Sequence, residues 1–240
     1  KAAASRVVVS DQYVFEFHTQ AYAPSRDYDG RFGVFDFRLG QRASALVGNG
    51  LGGGMRISNG EIVVSRSSIL NNTSGGGGGG FYLDCAPTCQ ISNSTFYKNA
   101  ASAYGGAIFG DGHSSNNVTY AGNTAGGHGG AFFGANFTVN NSVFLDNTSG
   151  NPWGQAMNCS STGAGSRVLQ WSSKTSNAGG DKCVSTVLAA NPLLAAPANN
   201  GGPTQTMLPA AGSPLLGAAS GCEQMDQRGQ ARNTTVCDIG

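Results

Sequence analysis

The sequence predicts an all-β solenoid, a chain wound into about five to seven stacked coils of about 24–27 residues with a cap at each end. Three observations carry that prediction. Gly105-Gly106-Ala107-Ile108-Phe109 is answered 24 residues later by Gly129-Gly130-Ala131-Phe132-Phe133. Tyr120-Ala121-Gly122-Asn123 and Phe144-Leu145-Asp146-Asn147 repeat with the same offset, so two unrelated motifs share one period. The apolar alternations between them, such as Glu61-Ile62-Val63-Val64 and Asn136-Phe137-Thr138-Val139, are short and broken by Gly, Asn and Ser, which suits strands and not helices.

Residues 1–50 stand outside the repeat. Val7-Val8-Val9, Tyr13–Phe17 and Phe32–Phe37 read as strands, separated by turn residues over 23–30, and form a β cap. The coils follow over 51–185. Their glycine pair recurs upstream as Gly79-Gly80 before Phe81-Tyr82 and as Gly53-Gly54 before Met55; the aromatic-plus-asparagine motif recurs at Phe96–Asn99 and, more loosely, at Ile69–Asn72. A looser copy is expected through Gly154-Gln155-Ala156 and Asn177. Stacking aligns Ile69, Phe96, Tyr120 and Phe144 inside, with Ser67, Ser94, Val118 and Ser142 on the same strand face. Glycines mark positive φ or close backbone approach. Asn72, Asn99, Asn123 and Asn147 are expected in left-handed turns, bonded to the next coil's amides. Over 186–240, prolines beside glycines stop regular coils, and an irregular cap across the last coil is expected.

With 38 glycines and only 11% charged residues, the chain is glycine-rich and sparsely charged, yet 39% apolar residues exclude disorder. A formal net charge of +1 without a basic run argues against nucleic acid or an anionic membrane as partner. No apolar segment approaches the ~20 residues of a membrane span. The chain opens at Lys1 with neither an initiator methionine nor a signal peptide, the expected look of a processed product. Its cysteines stand at Cys85, Cys89, Cys159, Cys183, Cys222 and Cys237. Six thiols allow about 15 pairings, and clustering favours 85 with 89, 159 with 183 and 222 with 237. A metal site is the alternative, disfavoured because no second close pair exists and His18, His113 and His128 lie elsewhere. Disulfides imply an oxidising, extracellular setting. No metal and no cofactor is expected.

The unit Gly52–Gly60 through Ser67–Asn72 resembles the coil of secreted right-handed parallel β-helix proteins. The pairing of GGAI-like and FxxN motifs is similar to the passenger region of chlamydial polymorphic outer-membrane proteins. In the tail, Asn191-Pro192-Leu193-Leu194, Asn200–Thr204, Leu208-Pro209, Gly212-Ser213-Pro214, Asp226–Gly229 and Cys237–Gly240 resemble, in this order, the C-terminal signature of bacterial "choice-of-anchor Q" β-helix proteins. The resemblance covers about residues 46–240. It implies a right-handed parallel β-helix on an extracellular or cell-surface protein and supports the Cys222–Cys237 bridge. It carries over no catalytic residue.

Polar groups within the coils are few. Asp84, Asp111 and His113 are the weak site candidates: the two aspartates suit successive coils, and Gly110-Asp111-Gly112-His113 reads as a polar loop. His128, between glycine pairs, reads as a turn residue, and Asp146 completes the set. No pair of adjacent acids or acidic triad of the kind used by polysaccharide hydrolases and lyases is apparent. An Arg228–Asp238 ion pair is expected to hold the tail. Asn-x-Ser/Thr triplets begin at Asn71, Asn72, Asn93, Asn117, Asn136, Asn140, Asn147, Asn158 and Asn233. Stacked Asn and Ser/Thr columns generate such triplets by themselves. Asn93, Asn117, Asn136, Asn158 and Asn233 are the candidate N-glycosylation acceptors, with Asn93 and Asn117 best placed on a turn column.

These features point to an extracellular structural or adhesive β-helix of a cell surface or fibre, without catalysis. Self-association into filaments through residues 6–39 or through the exposed edges of the helix ends is the expected assembly route. The alternative is a β-helix that binds or degrades polysaccharide through aromatics and polar loops on its flank.

Overall fold

The computed structural model describes residues 6–9, 47–48, 50–150, 158–176 and 182–240. Every regular element among them is a strand. All pairings between named strands are parallel, which winds the chain into a parallel β-helix. Strands collect into an 11-stranded sheet and a 5-stranded sheet. About four turns are complete. Ala164–Ser166 and Val168–Trp171 begin a further coil, and the two-residue strand Val187–Leu188 is the last rung. Among the described residues the stack is therefore shorter than the five to seven coils expected. Pro192 and the prolines after it cannot donate to a next rung.

Three corners turn each coil, and each corner carries a column of left-handed residues. The first is Gly52, Gly78, Gly105 and Gly129. The second is Arg66, Asn93, Asn117, Asn141 and Arg167; the third is Asn71, Lys98, Gly122 and Asp146. Glycine is required most strictly one place after the first corner. A Cβ on Gly53, Gly79 or Gly106 would lie 2.3, 2.3 or 2.2 Å from a carbonyl oxygen of the next coil. The repeat is thus a glycine pair with two jobs: the first residue turns the chain and the second lets coils touch.

The expected interior column is present. Ile69 pairs with Phe96, Phe96 with Tyr120 and Tyr120 with Phe144, all fully buried, and Gln170 ends the column. Phe96, Tyr120 and Phe144 stack at 5.1 Å between successive centroids. Phe81 and Phe132 meet this column edge-on at 4.9 and 4.6 Å, a preferred aromatic geometry.

The four asparagines form a buried ladder, not a turn. Nδ2 of Asn72, Asn99 and Asn123 donates to Oδ1 of the next asparagine at 2.9, 2.9 and 2.8 Å, and Asn147 donates to Asn158 Oδ1 at 2.9 Å. Main-chain N–H groups of Asn72, Asn99 and Asn123 donate to the same oxygens. Each Oδ1 therefore serves the preceding coil, and the left-handed seat falls one residue earlier, because only an extended asparagine can aim its amide inward along the stack.

All three expected disulfides form. Cys85–Cys89 clips an insertion: Asp84 pairs with Asp111 and Cys89 with His113, so five steps stand opposite two and the coil gains three residues. This explains why the asparagine column steps by 27 from Asn72 to Asn99 and by 24 thereafter. Cys159–Cys183 closes the C-terminal end of the main core, where both cysteines are fully buried beside Val184. Closing loops of 24 and 15 residues contributes about 3 kcal/mol each in the chain-entropy model. The disulfides mark an oxidising environment.

At the N-terminal edge, Arg6–Val9 pairs in parallel with Glu61–Val64 of its own chain, the capping use expected of Val7–Val9. The strands expected over 13–17 and 32–37, and the looser repeat copy through 154–156 and 177, lie outside the described residues.

Residues 190–240 do more than close the last coil. They lie lengthwise along the flank as a strap, folded on itself through antiparallel bridges such as Ala198–Thr206 and Ala219–Cys237. Toward the first coils the contacts are polar. Gln227 Nε2 donates to Ser67 O, Ser68 Oγ, Thr204 Oγ1 and Gln205 O at 3.0–3.1 Å, and its Oε1 accepts from Thr95 Oγ1 at 2.7 Å. Toward the last coils they are apolar: Val143 and Leu169 pack with Leu215, Ala219, Cys222, Cys237 and Ile239 as a second core. The outward column Ser68, Thr95, Thr119, Val143 is irregular because it matches the strap, not solvent. Arg228 pairs with Asp226 at 2.6 Å, not with Asp238. Asp226 already faces it across a tight turn closed by Gly229 N–H to Asp226 O, whereas Asp238 accepts from Gly217 N–H.

Candidate functional site

The side chains singled out from sequence are separated by the pleat. Asp84 and Asp111 pair on successive coils, as expected, and both are exposed; Asp111 Oδ1 accepts from Ala135 N–H at 2.6 Å. His113, two residues beyond Asp111, points into the core. It is 1% exposed, in the inward column of Ile62, Cys89 and Phe137, with Phe132 edge-on at 4.7 Å and Phe137 stacked at 5.5 Å. Neither ring nitrogen has a hydrogen-bond partner among the described residues. Burial pushes its pKa down to about 4, so the imidazole is neutral at physiological pH. The expected polar loop is thus a continuous strand, Ile108–Ala121, that presents Asp111 outward and hides His113.

The sequons also divide. Asn93 and Asn117 do occupy a left-handed turn column, but the strap covers them: they are 5% and 1% exposed, and Asn117 Nδ2 donates to Asp238 O. Asn158 is fully buried at the end of the asparagine ladder. The accessible members of the candidate set are Asn136 and Asn233.

The most distinctive surface feature lies on the strand face that follows the glycine pairs. Phe81, Ile108 and Phe132 point inward, so the residues after them point outward. This aligns Arg56, Tyr82, Phe109 and Phe133 as one column on four coils. Ring centroids stand 5.4 Å apart from Tyr82 to Phe109 and 5.4 Å from Phe109 to Phe133. The Arg56 guanidinium caps the Tyr82 ring at 5.2 Å. Tyr104 and His128, from the preceding corner, widen the row: Tyr104 lies 4.5 Å from Phe133 and is parallel to His128. Tyr104 is the most open ring, at 40% exposure.

Glycines seat these rings. A Cβ on Gly77 would lie 2.3 Å from the Phe109 ring, and one on Gly127 would lie 2.8 Å from Tyr104. Phe109 and Tyr104 thus occupy space that a side chain at Gly77 or Gly127 would fill, and Tyr82, Phe109 and Phe133 meet one another edge-on. Two residues along the same face, on the same coils, stand the Asp84 and Asp111 carboxylates. Aromatic surface and paired acceptors therefore run side by side along the axis.

A concave feature lies elsewhere, a polar groove of about 350 Å³ lined by Gln90, Ser92, Ser114, Asn116 and Asn140 and walled by Ser220, Gly221 and Glu223 of the strap.

No family model matches the chain, and neither a curated protein nor a solved structure matches it. The assignment as a parallel β-helix repeat protein rests on strand register. The half-buried row had a signal in the sequence: three glycine motifs carry an aromatic, Tyr82, Phe109 or Phe133, directly after the inward residue, and the first carries Arg56 there.

Proposed function

We propose that this protein is an extracellular adhesive β-helix, a rigid disulfide-closed rod that holds a partner on its flank and does not transform it. The observation that carries this reading is the aromatic row, set in register on successive coils and seated on glycines, with no imidazole beside it except the flanking His128. His113, the nearest base by sequence to Asp111, faces the core. The strap supports a load-bearing role, since it ties the coil of Ser67 to that of Leu169 along the whole stack. The disulfides and the tail's similarity to the "choice-of-anchor Q" signature support a cell-surface setting.

One observation favours the alternative, a polysaccharide-degrading enzyme. Asp84 and Asp111 are stacked neighbours, and paired carboxylates about 5 Å apart are the machinery of retaining glycosidases. Both are exposed here, whereas the acid of such a pair needs an apolar enclosure.

A paired assay tests the proposal. Soluble polysaccharides, neutral and acidic, with and without calcium, are incubated with the protein and examined for new reducing ends or unsaturated products. Beads carrying the protein are then washed over surfaces coated with polysaccharide, with protein or with lipid. The reading predicts no products and retention on one class of surface. Products that vanish in Asp111→Asn, or retention on no surface at all, would refute it.

A further inference from the structure

We infer that the aromatic row is the adhesive surface itself and that it takes an extended, uncharged glycan lying parallel to the helix axis. This rests on the adhesive reading above and supplies its ligand class.

The geometry excludes a single small ligand as the natural occupant. Tyr82, Phe109 and Phe133 recur once per coil, with Tyr104 beside the last two, so the surface is a strip that repeats along the axis and has no enclosing wall. A strip with one binding element per coil matches a polymer with one repeating unit per element. The chemistry then narrows the polymer. Aromatic faces receive the C–H faces of sugar rings, and their apolar area contributes without a large loss of side-chain freedom, because Gly77 and Gly127 already hold two of the rings in place.

The adjacent column decides between a sugar and an apolar peptide. Asp84 and Asp111 present exposed carboxylate oxygens on the coils of Tyr82 and Phe109. Carboxylates only accept hydrogen bonds, and sugar hydroxyls donate them. Asp111 Oδ1 already accepts from Ala135 N–H, and a carboxylate keeps further acceptor positions, for which the dense hydroxyls of a sugar offer more donors than an apolar peptide face does. The carboxylates also set the charge preference. A uronate polymer would place its own carboxylates against Asp84 and Asp111, whereas a neutral polymer meets no such repulsion. Arg56 stands at the end of the row over Tyr82, engaged by that ring, and does not reverse the sign along the strip.

Affinity electrophoresis of the intact protein through gels containing hydroxyethylcellulose, xylan or polygalacturonate tests this. Retardation is expected in at least one of the two neutral gels and not in polygalacturonate. Tyr104→Ala, at an exposed corner, is expected to weaken retention at least tenfold, and Asp84→Asn with Asp111→Asn to weaken it severalfold. Val236→Ser, on the strap, is expected to change nothing. Thermal melts of each variant check folding, and the aspartate pair keeps the test sharp if Tyr104→Ala destabilises the fold. Retention stronger in polygalacturonate, or unaltered retention in both folded variants, would overturn the inference. So would a dimer seen by sedimentation that Tyr104→Ala dissolves, since the row would then be an interface between copies. If every gel fails while protein-coated beads still attach to a protein or lipid surface, the glycan inference falls and the adhesive reading stands.

Discussion

Removing one rung of the asparagine ladder should unfold the protein far more readily than removing its end. Asn99 is fully buried; its Oδ1 accepts from both the main-chain N–H and Nδ2 of Asn72, and its Nδ2 donates to Ile69 O and Asn123 Oδ1. Asn99→Ala strips two buried donors of Asn72 of their shared acceptor. Each stranded donor costs about 1–3 kcal/mol, and the lost bond to Ile69 adds about 1, giving about 3–7 kcal/mol. Asn72→Ala removes a side chain of the same size at the end of the ladder. It strands nothing, since Asn99 Oδ1 keeps the main-chain donor and Asn72 Oδ1 has no partner among the described residues. Its cost should be about 1 kcal/mol. Urea unfolding followed by circular dichroism reads the difference as a midpoint shift at unchanged slope. Equal costs for the two substitutions would refute the ladder as a chain of shared acceptors.

Two further outcomes follow from the core and the corners. His113 binds its proton less readily in the fold, at about 4, than at its ordinary 6.5, so the stability present above pH 6.5 is lost as pH falls toward 4; the total is about 3 kcal/mol. His113→Phe should abolish that acid-side loss and raise stability at pH 7 by about 1 kcal/mol, and an unchanged pH profile in denaturant melts would contradict it. Gly106→Ala places a Cβ 2.2 Å from Gly130 O and should cost more than 3 kcal/mol, whereas Gly50→Ala meets nothing within 4 Å and should lie within about 0.5 kcal/mol of wild type. Thermal melts of the two variants decide this.

What was legible in the sequence was whatever the coil repeats. An inward position sees the same neighbours above and below, so Ile69, Phe96, Tyr120 and Phe144 align because stacking demands like residues. The asparagine column was visible for the same reason. Its role was misplaced by one residue because asparagine suits both a left-handed corner and an amide ladder, and only register separates them. His113 was read as loop because glycines precede it. Its inward direction follows from parity with Ser115, which the three-residue insertion clipped by Cys85–Cys89 obscures in the neighbouring coil. The strap's course was not legible at all: Gln227 meets Thr95 across 132 residues, and nothing repeats to announce that contact. The aromatic row was half visible, since the motif Phe81-Tyr82, Ile108-Phe109, Phe132-Phe133 contains an outward residue as regular as its inward one.

Hydrogen–deuterium exchange of the intact protein with and without a neutral β-glucan oligosaccharide tests the central claim most directly, because it locates the partner. The account predicts that added glycan slows exchange over 82–84, 104–111 and 128–135, where the aromatic row and its two carboxylates lie. Protection confined to the polar groove at Ser92, Asn116 and Asn140, or to the strap, would contradict it.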